Sequence, residues 1–275
     1  HRATLHNYED LARKDVRIGD TVRIEKGGEI IPKVVEVRLD RRPKKSVPYE
    51  VPSACPVCDH PVVKFEGEVA VRCVNPACPE VVKESIRHFV SRNAMNIEGL
   101  GGRLIGQLLS QGLLVDYTSL YSLRASDLEE LEGWGEISAR KLEAELEKSK
   151  RTELSSVLFA LGIRFVGQRA ARLLADRFGS LEAISEATTE ALVDVDGIGE
   201  KVAASLRSFF DDGENQTRIG KLQTAGVQLD RVQRGTVDES HALAGKRFVI
   251  TGTLAGRSRS QAKKELEAVG ALVGG

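Results

Sequence analysis

Between Thr21 and Val37, apolar residues fall at Val22, Ile24, Ile30, Ile31, Val34, Val35 and Val37, interrupted by Gly27-Gly28. This alternation about a glycine pair predicts two short β-strands joined by a tight turn. The basic, proline-containing stretch Arg41-Arg42-Pro43-Lys44-Lys45 reads as a linker, and a second small β unit runs from Cys55 to Cys78. From Glu84 to Phe210 the period lengthens to that of helices, broken by short glycine-containing turns. Residues 211–240 are polar and predict a second linker. The tail reads as strand (Phe248-Val249-Ile250), turn (Thr251-Gly252), helix (Ser258 to Ala268) and the start of a strand (Leu272-Val273). The fold class expected is multidomain and mainly α. A partial β-barrel occupies 1–52, a four-cysteine unit 53–82, a helical domain 83–212, a linker 213–240 and the opening of a small α/β domain 241–275.

The helical region repeats itself. Four segments align on Gly101, Gly135, Gly167 and Gly199. The residue before each is apolar (Leu100, Trp134, Val166, Ile198), and the one before that is Gly99, Gly133 and Gly197, with Phe165 in the third copy. Four before stand Ile97, Leu131, Ile163 and Val195; four after, Ile105, Ala139, Ala171 and Ala203; seven after, Leu108, Leu142, Leu174 and Leu206. Apolar positions four and seven past the glycine share one helix face. The glycines permit a hairpin dihedral that other residues resist. Loop amides and the open start of the second helix then face solvent, an arrangement that holds anions. These residues resemble the helix-hairpin-helix motif of DNA repair and replication proteins. The resemblance implies backbone contact without base readout. Arg103, Arg140, Arg169, Arg172 and Lys201, just past the turns, suit phosphates. A plain helical hairpin would explain one such turn, whereas four in register favour DNA binding. Phe165 predicts a weaker phosphate site in the third copy. No copy completes the Gly-x-Gly-x-x-Gly of a dinucleotide fold.

Charge qualifies this picture without overturning it. The 275 residues carry 40 basic and 40 acidic side chains, so binding rests on local clusters and not on net charge. No apolar run approaches a membrane span, and the start His1-Arg2-Ala3-Thr4 has no secretory pattern. With the end at Gly274-Gly275, it is expected to belong to a piece of a longer protein.

Cys55-x2-Cys58 and Cys73-x4-Cys78 form two close pairs, each with a proline (Pro56, Pro76) inside its knuckle. That pattern suits one tetrahedral zinc ion held by four thiolates with no open position, hence a structural site. His60 reads as a surface neighbour. Lys64, Arg72 and Lys83 lie close by and suit either phosphate contact or solvent.

The order of units, with several local sequences, resembles the C-terminal half of bacterial NAD-dependent DNA ligases. Arg2-Ala3-Thr4-Leu5-His6-Asn7 is similar to a signature of that family. Ile18-Gly19-Asp20-Thr21-Val22 and Gly28-Glu29-Ile30-Ile31-Pro32 resemble its OB-fold strands. Cys55-Pro56-Val57-Cys58 and His88-Phe89-Val90-Ser91-Arg92 resemble its zinc and first helical units, and Phe248-Val249-Ile250-Thr251-Gly252 resembles the first strand and turn of a BRCT domain.

The resemblance implies an enzyme that adenylates a lysine from NAD, passes AMP to the 5′-phosphate of a nick and seals the strand with Mg²⁺. That lysine lies in Lys-x-Asp-Gly, which is absent here; Lys64-Phe65-Glu66-Gly67 is a near miss between the cysteine pairs. No catalytic residue is therefore expected in this chain, and NAD and Mg²⁺ are expected mainly outside it. The expected partners are nicked duplex DNA, gripped through the hairpins and Lys26, and an N-terminal adenylation domain of the same polypeptide. The expected place is the bacterial cytoplasm, at the nucleoid. Two other readings stand beside this one: a free-standing DNA-binding or scaffold module, and a protein-contact role for the BRCT-like tail.

Overall fold

The computed structural model describes residues 2–27, 31–231, 242, 243, 245–252, 254, 256, 258–269 and 271–274. His1, residues 28–30 where the sequence predicts a turn, the stretch 232–241, and residues 244, 253, 255, 257, 270 and 275 lie outside the described residues. The chain divides into two compact units, His1–His88 with Leu100–Leu120, and Phe89–Gly99 with Tyr121–Gly275.

The first unit opens with α1 (Tyr8–Arg13), a six-residue helix started by Asn7, whose side chain accepts from the Asp10 amide. β1 (Val22–Gly27) and β2 (Ile31–Val37) form the predicted antiparallel pair, with a bulge between Arg23 and Ile24. Thr4 is stitched to β2 through the Pro32 and Val34 backbone. The basic stretch after β2 is no free linker. Arg42 folds back to pair with Asp15 at 2.6 Å and Asp20 at 2.9 Å, and Arg17 donates to the Ser46 carbonyl at 3.1 Å. β3 (Val62–Lys64) and β4 (Val71–Cys73) make a short antiparallel ribbon carrying the cysteines at its base. α2 (Pro79–Phe89) leaves this ribbon, and α3 (Gly102–Ser110) buries Leu104, Ile105 and Leu108.

The second unit is a stack of short helices: α4 (Ala125–Glu129), α5 (Glu136–Ser149), α6 (Leu154–Ala160), α7 (Gln168–Phe178), α8 (Leu181–Glu186), α9 (Thr189–Val193) and α10 (Glu200–Phe210). α4 packs on α5, α6 on α7, and α9 on α10. The pairing explains the sequence repeat, because each helix before a turn and each helix after it offer apolar faces too narrow to be buried alone. Tyr121 donates to Ser149 Oγ at 3.0 Å while Ser149 donates to the Leu146 carbonyl at 2.7 Å, which satisfies a hydroxyl pair inside the core.

The expected linker from 213 is corrected by the structure. Residues Gly213–Thr224 form α11, capped by Asp212, whose carboxylate accepts from the Asn215 amide at 2.9 Å. Its Leu222 is wholly buried. Beyond it, the Gln228 amide donates to the Lys150 carbonyl at 2.8 Å, the Leu181 amide to the Leu229 carbonyl at 2.9 Å, and Ser180 bridges Asp230. The chain is thus tied to the helical stack as far as Arg231. In the tail, β5 (Arg247–Val249) and β6 (Leu272–Gly274) pair in parallel, with α12 (Arg259–Ala268) between them in sequence. Among the described residues, no helix is long and apolar enough to cross a membrane.

Candidate nucleic-acid interface and metal centre

The four turns share one backbone. The residue two before each alignment glycine takes a left-handed φ: +93° at Gly99, +83° at Gly133, +65° at Phe165 and +90° at Gly197. The intervening Leu100, Val166 and Ile198 are buried, and Trp134 is half-buried. Gly101, Gly135, Gly167 and Gly199 then cap the second helix in extended conformation, at φ −79°, −140°, −83° and −93°. Each accepts the first helical bond, from Ile105, Ala139, Ala171 and Ala203, at 2.9–3.1 Å. Those four residues, and the leucines three further on, are buried at every copy.

The two glycines of a turn do different jobs. The first occupies a conformation that costs L-residues energy. The second does not: its φ is one any residue adopts, and an added Cβ at Gly101, Gly135, Gly167 or Gly199 meets nothing within 4 Å. None of the four caps supplies a side-chain hydrogen bond to its helix. A serine there would serve the helix better. Glycine instead leaves the first amides of the helix bare and approachable, which is what a phosphate requires.

The flanking charges differ between copies. Arg103, Arg169 and Lys201 occupy equivalent positions two past the cap glycine; all are exposed and make no ion pair among the described residues. The second copy has Ile137 there, 86% exposed. Its Arg140 lies a turn further on and is bonded to Glu136 at 2.5 Å. The third copy, in which Phe165 predicted a weaker site, keeps the shared backbone and has the most favourable charge. No carboxylate lies between Glu153 and Asp176, while Arg164, Arg169 and Arg172 do. Arg172 approaches Asp176 at 3.9 Å. The first two turns meet, with Glu98 and Gly99 sharing a pocket of about 390 Å³ with Gly133, Trp134, Ser138 and Lys141, and the fourth packs on α7, where a Cβ on Gly197 would stand 3.1 Å from Leu173. Lys26 is exposed on β1 opposite Pro32.

At the ribbon base, the Cys55 and Cys78 sulfurs lie 3.9 Å apart and those of Cys58 and Cys73 3.6 Å apart; all four fall within 4.8 Å of one another. A tetrahedron of thiolates about 2.3 Å from zinc has sulfur edges of about 3.8 Å, so the cluster fits that ion with no ligand position to spare. The knuckles are shaped by backbone bonds: the Asp59 amide donates to Cys55 carbonyl, the Cys55 amide to His60 carbonyl, and Asn75 Nδ2 donates to Cys58 Sγ at 3.6 Å. The His60 amide draws the Cys58 thiol down to about 7. The Asn75 amide favours the Cys73 thiolate, but desolvation and the adjacent thiols outweigh it and push that group up to about 12. Lys64 is turned away to Glu9, Arg72 pairs with Glu68 at 3.5 Å and Lys83 with Glu80 at 3.1 Å, so none is a bare cation at the metal.

Sequence reasoning missed the Arg42 clasp and the apolar groove, of about 690 Å³, whose lining includes Leu5, Tyr8, Leu11, Ile18 and Tyr49. Tyr8 and Tyr49 stack there at 6.0 Å. Both features join residues more than twenty positions apart, where periodicity carries no signal.

Comparison with known proteins agrees with this geometry. Residues 1–46 match the NAD-dependent DNA ligase OB-fold domain, residues 54–79 the NAD-dependent DNA ligase C4 zinc finger domain, and residues 156–219 a helix-hairpin-helix motif. Over 276 aligned residues the chain is 46% identical to a DNA ligase of Lysinibacillus sphaericus, covering 100% of this chain and 41% of that protein. It is 47% identical to a DNA ligase of Trichlorobacter lovleyi, with 100% and 40% covered, and 44% identical to one of Acidobacterium capsulatum, with 100% and 40% covered. The chain spans about two fifths of the length of these relatives. Residues 1–46 and 54–79 belong to the OB-fold and C4 zinc finger domain families of NAD-dependent DNA ligases, and the chain as a whole, with the helix-hairpin-helix region that follows, is similar to DNA ligases.

Proposed function

We propose that this chain is the DNA-gripping portion of a ligase that seals nicks in duplex DNA during replication and repair. It holds the backbone at four helix-hairpin-helix turns, while adenylate transfer takes place on a Lys-x-Asp-Gly lysine elsewhere in the polypeptide. The observation that carries the reading is the set of four cap glycines, extended, uncrowded and unneeded by the fold, each baring the amides of a helix start. Phosphates are alike at every base pair, so such contacts hold any nick regardless of sequence.

Zinc at Cys55, Cys58, Cys73 and Cys78 fixes the ribbon and takes no part in the reaction, since four thiolates leave no position for substrate. NAD and Mg²⁺ belong to the part of the enzyme that carries the lysine. The exposed Ile18, Ile24 and Ile31 support further OB strands and the adenylation domain packing against residues 1–52. The parallel β5–β6 pair with its intervening helix supports a BRCT-type unit in the tail. The bacterial nucleoid is the place such an enzyme works.

Binding of this chain to nicked duplexes of unrelated sequence, at several salt concentrations, tests the reading. Comparable affinities that fall steeply with salt are expected. Affinity indifferent to salt would sink it. With NAD and Mg²⁺ the chain alone should not become adenylated, and adding the N-terminal portion should restore sealing. Intact binding without restoration would favour a scaffold module.

A further inference from the structure

At the position where three hairpins carry glycine, the third carries Phe165, and the backbone has not moved to accommodate it. Its φ of +65° matches the left-handed values of Gly99, Gly133 and Gly197. A residue with a Cβ is strained there. The ring gains little burial in return: it is 50% exposed. The Arg164 guanidinium lies over its face at 4.7 Å, which holds the ring's orientation at the tip of the turn. The neighbouring sequence is cationic, with Arg169 and Arg172 on α7 and no carboxylate from 154 to 175, although Arg172 approaches Asp176 at 3.9 Å. Gly167, two residues on, bares its helix start without crowding. A strained, half-bare aromatic is poor for folding, and in a patch built for a polyanion it has one apolar surface to meet: the deoxyribose edge of the strand.

We propose that Phe165 is a DNA contact in its own right, packing its ring on backbone sugars while the amides past Gly167 and the Arg164 and Arg169 side chains take the adjoining phosphates. The inference rests on the DNA-gripping reading above. It turns the third hairpin from an electrostatic contact into a mixed one. Because sugars, like phosphates, recur at every step, the contact adds affinity without sequence preference.

The test is Phe165→Gly, which gives the third hairpin the residue found in the other three. Relief of strain predicts a chain that folds at least as stably as the parent. Burial of half an aromatic ring predicts affinity for a nicked duplex falling by about tenfold. No charge is removed, so the salt dependence of binding should keep its slope. Phe165→Trp should retain parental affinity. Parental affinity in Phe165→Gly, at raised or equal melting temperature, would overturn the proposal and leave the hairpin reading intact. A reduced salt slope would overturn it too, because the lost contact would then be ionic. Failure of the unmodified chain to bind duplex would instead remove the reading on which the proposal rests.

Discussion

Arg42 donates to the Asp20 carboxylate at 2.9 Å, and that carboxylate is almost wholly enclosed, 1% exposed against 14% for the guanidinium. The same guanidinium bonds Asp15 and the Asp15 carbonyl, so one side chain clasps the turn before β1 to the segment after β2. Arg17 and Arg42 hold the Asp15 carboxyl down at about 2, and Arg42 holds Asp20 below the usual carboxylate range. Carboxyls depressed in the folded state contribute stability above about pH 4 that is lost as pH falls through their folded values. Arg42→Met should therefore lower the melting temperature by several degrees near neutrality, and the gap from the parent should close as pH falls toward 2. An undiminished gap at pH 2 would show that the clasp works by packing alone.

The paired glycines of one hairpin should respond oppositely. Gly197→Ala forces a Cβ into a left-handed residue and to 3.1 Å from Leu173 Cδ1, and should cost about 1–2 kcal/mol in denaturant titration. Gly135→Ser places a preferred capping residue in an extended backbone with open space around it, so stability should hold or rise slightly. Affinity for duplex should nevertheless fall in Gly135→Ser, because the added side chain stands where the proposed phosphate contact would form. Unchanged binding in that variant would mean the second hairpin does not touch DNA.

Zinc content should be one ion per chain, by elemental analysis of protein purified without added metal. Stripping the metal should unfold residues 53–82, read as lost protection of the β3–β4 amides in hydrogen exchange, while α5 to α10 stay protected. Cys58→Ser should have the same local effect. Loss of protection throughout the hairpins would show that the zinc unit supports more than its own ribbon.

Arg169 is exposed and makes no ion pair among the described residues, whereas Arg140 is tied to Glu136 at 2.5 Å. Arg169→Ala should reduce the salt slope of duplex binding by about 0.9, and Arg140→Ala should reduce it by less. Equal reductions would mean that Glu136 releases its partner on binding.

These contrasts mark how far the sequence could be read. Ile163, Gly167, Ala171 and Leu174 announce their hairpin because a repeated helix pair needs the same apolar face each time, and that need is written as spacing. The cysteines are legible for a like reason, since two knuckles at fixed separation suit one ion. Arg42 was opaque: in Arg41-Arg42-Pro43-Lys44-Lys45 it has the look of a linker, and its partners stand 22 and 27 residues earlier. The helix Gly213–Thr224 is masked in the sequence by its polar surface, with only Asp212 as cap and Leu222 as anchor to signal it. Phe165 reads as a departure from pattern, and only its φ shows that the pattern persists beneath the substitution.

The division of labour between the two glycines has a cellular consequence. A lesion at the first yields a chain that opens more often and is cleared by proteases, so its effect is one of abundance. On the proposed reading, a lesion at the second would yield a durable chain, present at full dose and incompetent in one finger of its grip. In a cell given a second copy of the gene, such a chain would compete for whatever the intact protein docks with, and its defect would show over the intact copy where a mere loss of protein would be made good.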